Sequence, residues 1–147
     1  FDPVDAAAEH IVAMSGARRA SVEEILADKS IHAVLICTPT DMHADQIELA
    51  AKVRAPWIEL HTGAYAHAYH TRRRGVELER LRRGAVLGHQ LGLVVNAGHG
   101  INYDNIRVLR ALPHLHELNI GHSIISRSIT IGLAKAVKEM LAVMRGR

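Results

Sequence analysis

The sequence predicts a parallel α/β protein, with four main strand–helix units in one sheet behind a helical preface. Three observations lead there. Short apolar runs alternate with helical stretches, the order that right-handed crossovers turn into a parallel sheet. The hydrophobic share is 48% but the aromatic share only 3%, so the core is aliphatic, as in strands covered by Ala-rich helices. Three of the strands end in clusters of glycine and histidine, and parallel folds meet their ligands at strand carboxyl ends.

Phe1-Asp2-Pro3 reads as a strand end and a turn. Asp2 or Asp5 caps a helix over Val4–Ser15, and Gly16 stops it. Ser21-Val22-Glu23-Glu24 is a capping box that opens a second, short helix. Ala33–Thr38 is a continuous apolar strand ended by Pro39, and a helix capped by Thr40 or Asp41 runs on to Lys52. The second strand is Trp57–His61. A polar loop rich in His and Tyr follows, then a long helix from Arg72 to Gln90. Leu93–Asn96 is the third strand, closed by Ala97-Gly98-His99-Gly100, and Asn105–Leu112 is a helix stopped by Pro113. Glu117–Ile120 is the fourth strand. The rest is one helix to Met144, with Ile124, Ile125, Leu133, Val137, Met140 and Leu141 on its inner face.

Composition narrows the function. The net charge of +3 comes with a run of arginines from Arg72 to Arg83 that is interleaved with Glu77 and Glu79. No aromatic platform accompanies them, so a solvated helix face is expected and no nucleic-acid partner. The lone Cys37 sits in an apolar strand pattern and reads as a buried thiol, which leaves neither a disulfide framework nor a cysteine zinc site. No apolar run nears the roughly 18 residues of a membrane span, and no leader opens the chain, so a cytoplasmic protein without membrane contact is expected.

The candidate site lies in the strand endings His61-Thr62-Gly63, Gly98-His99-Gly100 and Gly121-His122-Ser123. Glycines let backbone N–H groups approach a ligand, and a helix starting after Gly121-His122 aims its positive end at the same rim, which suits phosphate. Glu59 interrupts an apolar strand. It is either a working carboxylate near His99 or an exposed edge residue. Asn96 is placed to hold the Gly98-His99-Gly100 loop. His67, His70, His89, His114 and His116 lack a shared face with a carboxylate, so no metal is assigned.

Two resemblances extend this reading. Ala55-Pro56-Trp57-Ile58-Glu59-Leu60-His61-Thr62-Gly63-Ala64-Tyr65, Val95-Asn96-Ala97-Gly98-His99-Gly100 and His116-Glu117-Leu118-Asn119-Ile120-Gly121-His122-Ser123-Ile124-Ile125 closely resemble the carboxyl-terminal part of the pyridoxine 5′-phosphate synthase family. That family is a TIM barrel, and residues 54–147 would be its sixth to eighth strand–helix units. The family condenses 1-deoxy-xylulose 5-phosphate with an aminoacetone phosphate and releases phosphate and water. The resemblance implies that His99 is the proton donor, that Glu59 stabilises a transition state, and that Gly100, Gly121 and His122 hold phosphate. Residues 1–53 resemble instead the middle of the NAD-binding Rossmann domain of the inositol dehydrogenase and glucose–fructose oxidoreductase family. The carrying segments are Phe1–Ala8, Ser21–Asp28 and Ala33–Ala44. The Gly-rich turn that holds the cofactor pyrophosphate is absent from the sequence, so no cofactor is expected.

The expectation is therefore one α/β domain, half TIM barrel or Rossmann-like sheet, of shuffled or engineered ancestry. It keeps a site for phosphate or a sugar phosphate and has little or no turnover. Two alternatives stand beside it: a working synthase that completes its site in an oligomer, and an NAD-binding Rossmann-like module. A half barrel leaves two strand edges and an apolar inner face unpaired, so self-association into a homodimer or larger oligomer is expected.

Overall fold

The computed structural model describes residues 5–28, 30 and 43–146. The expected strand Ala33–Thr38, Cys37 and the Asp2 and Thr40 or Asp41 caps lie outside the described residues. The chain forms two compact units, Phe1–Cys37 and Thr38–Arg147.

In the first unit, α1 is Asp5–Ser15 and α2 is Val22–Ala27. Gly16, at φ 68°, ends α1 by donating to the Val12 carbonyl, as a left-handed glycine does at a helix end. Asp5 pairs with Arg19. The capping box at α2 is complete: Glu24 N–H donates to Ser21 Oγ at 3.1 Å, and Ser21 N–H donates to Glu24 Oε2 at 2.7 Å.

The second unit runs α3 (His43–Lys52), β1 (Trp57–His61), α4 (Gly63–Ala68), α5 (Arg74–Gln90), β2 (Val94–Gly98), α6 (Ile106–Leu109), β3 (Leu115–Asn119), α7 (His122–Ile131) and α8 (Leu133–Met144). Its three strands form one parallel sheet in the order β1-β2-β3. A three-stranded parallel sheet with helices is the part of the expected architecture that these residues display.

One face of that sheet is the core. Ile58 and Leu60 of β1 and Val95 and Ala97 of β2 turn toward α5, where Gly84 and Gly88 let the helix settle on them. A Cβ on Gly88 would lie 2.8 Å from Val95 Cγ2 and 2.9 Å from Ile58 Cδ1. From α3, Ile47 and Ala50 join the same buried cluster, with Leu81, Ala85, Ile106, Leu109 and Met140. The opposite face is not apolar, as the half-barrel reading expected. Register puts Glu59, Asn96 and Glu117 side by side, with Asn119 opposite Gly98, so this face is polar.

Several local expectations need correction. The His/Tyr loop contains α4, whose Tyr65 is buried and donates to the Asn105 carbonyl at 2.8 Å. Burial pushes the Tyr65 hydroxyl up to about 12, with Tyr69 adding to the effect. The helix after the third strand is only Ile106–Leu109. The final helix is two, broken at Gly132, whose φ 80° and ψ 150° no helical residue adopts. The inner face read across that break holds only at Ile124 and Met140. Ile125, Leu133, Val137 and Leu141 are exposed, while Ala136 and Met140 are the buried positions of α8. The arginines of α5 do form the expected solvated face, except that Arg80 and Arg73 reach a buried Glu77. Glu79 is held down to about 2, chiefly by hydrogen bonds from Arg82 and then Arg83.

Candidate functional site

The carboxyl ends of the strands converge on a cavity of about 480 Å³. Glu59, His99, Gly100, Gly121 and His122 all line it, together with Ile101, Asn102, Asn119, Ile120 and Ser123. The structure thus brings these five candidate residues to one place, while His61, Thr62, Gly63, Gly98 and Asn96 lie outside the lining.

Each arrives by its own local cause. Glu59 sits mid-strand on the polar face of β1, and Asn119 of β3 donates its side-chain amide to the Glu59 carboxylate. Gly98 makes this possible. It lies on β2 between His61 and Asn119 in the register, and a Cβ there would sit 2.9 Å from the Glu59 carboxyl carbon and 3.2 Å from Asn119 Cβ. Glu59 is exposed on an outer strand, as one of its two readings expected, and it also lines the cavity beside His99.

His99 and Gly100 follow β2 in a turn where both take left-handed φ, 77° and 74°. The His99 imidazole stacks on His61 with ring centroids 4.4 Å apart and planes 26° from parallel. Gly63 leaves room beneath the pair, since a Cβ there would come 2.6 Å from His61 Cε1 and 3.1 Å from His99 Cδ2. Burial holds the His61 imidazole below the ordinary histidine range, the charge of His99 lowers it further, and Glu59 opposes both.

Gly121 caps α7, whose first turn, His122 and Ser123, forms the remaining wall. The N-terminal N–H groups of a helix lack intrahelical partners and carry its positive dipole end. Gly121 itself departs from expectation. Its φ of −111° is open to any residue, and a Cβ would meet nothing within 4 Å. The turn that requires glycine is at Gly100, where φ is positive and a Cβ would fall 2.8 Å from Ala66 Cβ.

Asn96 does not hold the 98–100 loop. Its amide donates 3.1 Å across to Glu117 on the polar face of the sheet. The loop is held by Thr62, which the sequence placed in a candidate strand ending, and by Asn105, which it placed only at a helix start, while Ser123 donates to the adjoining Ile101 carbonyl. Of the remaining histidines, His89 and His114 stack 3.9 Å apart and His116 meets Trp57 edge-on at 5.0 Å. Among the described residues no group of three or more His, Cys, Asp or Glu could hold a metal ion, and no helix is long and apolar enough to cross a membrane.

A parallel α/β sheet, glycine turns at its strand ends and a helix N-terminus at a shared cavity define an α/β protein with its candidate site at the carboxyl rim of its sheet. Comparison with known proteins sharpens the class. The family pattern described as pyridoxal phosphate biosynthesis protein PdxJ matches residues 9–146, and the chain belongs to that family. A pyridoxine 5′-phosphate synthase of Opitutus terrae is 57% identical over 123 residues, 83% of this chain and 48% of that protein. Relatives of the same name from Akkermansia muciniphila and Gloeothece citriformis are 50% and 52% identical over 78% and 73% of this chain, and 46% and 45% of their own lengths. The chain thus spans about half the length of the curated relatives it matches. The match runs through much of residues 1–53, and nothing in it supports a dehydrogenase ancestry or a junction at residue 54.

Proposed function

We propose that this chain carries the phosphate-holding and proton-donating part of a pyridoxine 5′-phosphate synthase site. The observation that supports it is the convergence of Glu59, His99, Gly100, Gly121 and His122 on one cavity, in a chain of the PdxJ family. In this reading the substrate is a sugar phosphate or similar phosphorylated carbonyl compound. Its phosphate sits against the N–H groups of Gly100, Gly121 and His122, where the end of α7 favours negative charge. His99 delivers a proton to a leaving oxygen from the neighbouring wall. Glu59, oriented by Asn119, stabilises positive charge that develops on the reacting nitrogen-bearing substrate. The chain associates with copies of itself in this proposal, and no cofactor or metal takes part.

Two measurements test the reading. Inorganic phosphate, followed by amide NMR, is expected to shift Gly100, Gly121 and His122, and a sugar phosphate is expected to compete. His99→Ala is expected to leave that affinity within about twofold, because its role is a proton and not the anion, while product formation from the two phosphorylated substrates falls by about 10²-fold or more. Phosphate shifts elsewhere and not at Gly100 or Gly121 would refute the site. Binding with no product at all would favour a phosphate-binding chain without turnover, and saturable NADH binding would favour the nucleotide module.

A further inference from the structure

The roles assigned so far belong to residues that line the cavity, yet the turn that carries two of them is strained. His99 holds φ 77°, a conformation glycine accepts and histidine resists. Such a turn persists only where its surroundings over-determine it. Three consecutive carbonyls there are captured from behind. Thr62, fully buried at the end of β1, places its hydroxyl 2.8 Å from the Gly98 carbonyl and 2.5 Å from that of His99, while its N–H donates to Gly98 at 2.7 Å. Asn105, 1% exposed, donates its side-chain amide to the Gly100 carbonyl at 2.9 Å. The Asn105 oxygen is fixed in turn by the Asn102 N–H at 2.8 Å. Neither Thr62 nor Asn105 lines the cavity.

From this geometry we infer that Thr62, assisted by Asn105, is a positioning residue that sets both the His99 ring and the Gly100 N–H for the site proposed above. A trans peptide directs its N–H opposite its carbonyl. Capture of the His99 carbonyl by Thr62 therefore turns the Gly100 N–H away from Thr62 and toward the ligand side. The same contact keeps the His99 ring on His61. The inference rests on the phosphate reading for its consequence but not for its geometry, so the two are tested apart.

The experiment compares the chain with Thr62→Val, which keeps the shape and removes the hydroxyl, and with Thr62→Ser, which restores it. Two signals are read by NMR: the nuclear Overhauser contact between the His61 and His99 rings, and the phosphate titration of the Gly100 and Gly121 amides. The valine variant is expected to lose the ring contact and to bind phosphate about three- to tenfold more weakly, the scale of one hydrogen bond. Gly121 should still respond, and the serine variant should recover both signals. A valine variant that keeps the ring contact and the wild-type affinity overturns the inference. Should valine prevent folding, Thr62→Ala against Thr62→Ser makes the same comparison, with equal behaviour of the two as the overturning result. If the wild-type chain shows no phosphate response at Gly100 or Gly121, the phosphate reading fails, and the ring contact alone still decides for or against the clamp.

Discussion

Glycines at the cavity separate into those the backbone needs and those it does not. At Gly100 an alanine would strain a φ of 74° and press its Cβ to 2.8 Å from Ala66. Gly100→Ala is therefore expected to destabilise the fold by about 1–3 kcal/mol in chemical denaturation. At Gly121 the same change meets open space at a negative φ, so stability should move by less than about 0.5 kcal/mol. On the proposed phosphate reading affinity should still fall, because Gly121 lines the cavity and the added methyl group crowds its N–H. A Gly121→Ala protein with unchanged phosphate binding would show that this N–H does not touch the anion. The His61–His99 stack gives a second residue-scale prediction. Burial first, and the charge of His99 second, lower the His61 titration, while Glu59 raises it. By NMR, His61 should titrate below 6.5, move upward in His99→Ala and move downward in Glu59→Gln. The sign for stability follows. The unfolded chain takes up this proton at higher pH than the folded one, so the contribution is intact above about pH 6.5 and is lost as pH falls through the folded value. A His61 midpoint that ignores His99→Ala would remove the electrostatic coupling of the pair.

Helix-on-sheet contact is decided at α5, whose glycines face opposite surroundings. Gly88 lies over Val95 and Ile58 with no room for a Cβ, whereas Gly75 has nothing within 4 Å. Alanine is the better helix former at both, by about 0.5–1 kcal/mol. Gly75→Ala should realise that gain as a higher Tm. Gly88→Ala should lose it to overpacking that costs about 1–3 kcal/mol, because both neighbours are themselves packed in the core. Equal effects at the two positions would mean that α5 does not seat on the sheet as described. The sequence made elements legible where the signal was local. β1 and the capping box of α2 match the expectation residue for residue, since proline, capping serine and glutamate all act within four positions. β3 begins two residues earlier than expected because its start is set by pairing with Val95 across an irregular register, which no local pattern encodes. The end helix is two helices where the pattern suggests one, because a glycine inside an amphipathic run only sometimes breaks it, and here its φ of 80° does. The cavity residues stood out as glycines and histidines at strand ends. Supporting roles are not legible in the same way: Thr62, although it sits in one of those strand endings, and Asn119 find partners 36 and 60 positions away.

Self-association is the prediction that belongs to the whole molecule, and the structure changes its physical basis. The open face of the sheet carries Glu59, Glu117 and Asn119 with a buried Asn96, and Trp57 is its one large exposed apolar side chain among the described residues, so it supplies little hydrophobic drive for pairing two copies. What remains is a pair of sheet edges, since β1 and β3 are each paired on one side only among the described residues, and a set of exposed apolar side chains on the last two helices. Ile125 and Ile129 are 57% and 83% exposed on one side of α7, and Leu133, Val137 and Leu141 follow at four-residue spacing along α8. Apolar surface concentrated in this way favours burial against another protein surface. Sedimentation of the chain is therefore expected to depend on concentration, with dimers or larger species at micromolar levels. Ile129→Lys with Leu133→Lys should shift that equilibrium toward monomer, because each ammonium would have to be desolvated in the contact. The thermal midpoint should change little, as neither side chain supports the core. If the double variant associates as strongly as the parent, the strand edges and not the helices make the contact. A parent chain that sediments as one concentration-independent monomer removes self-association from the proposal altogether.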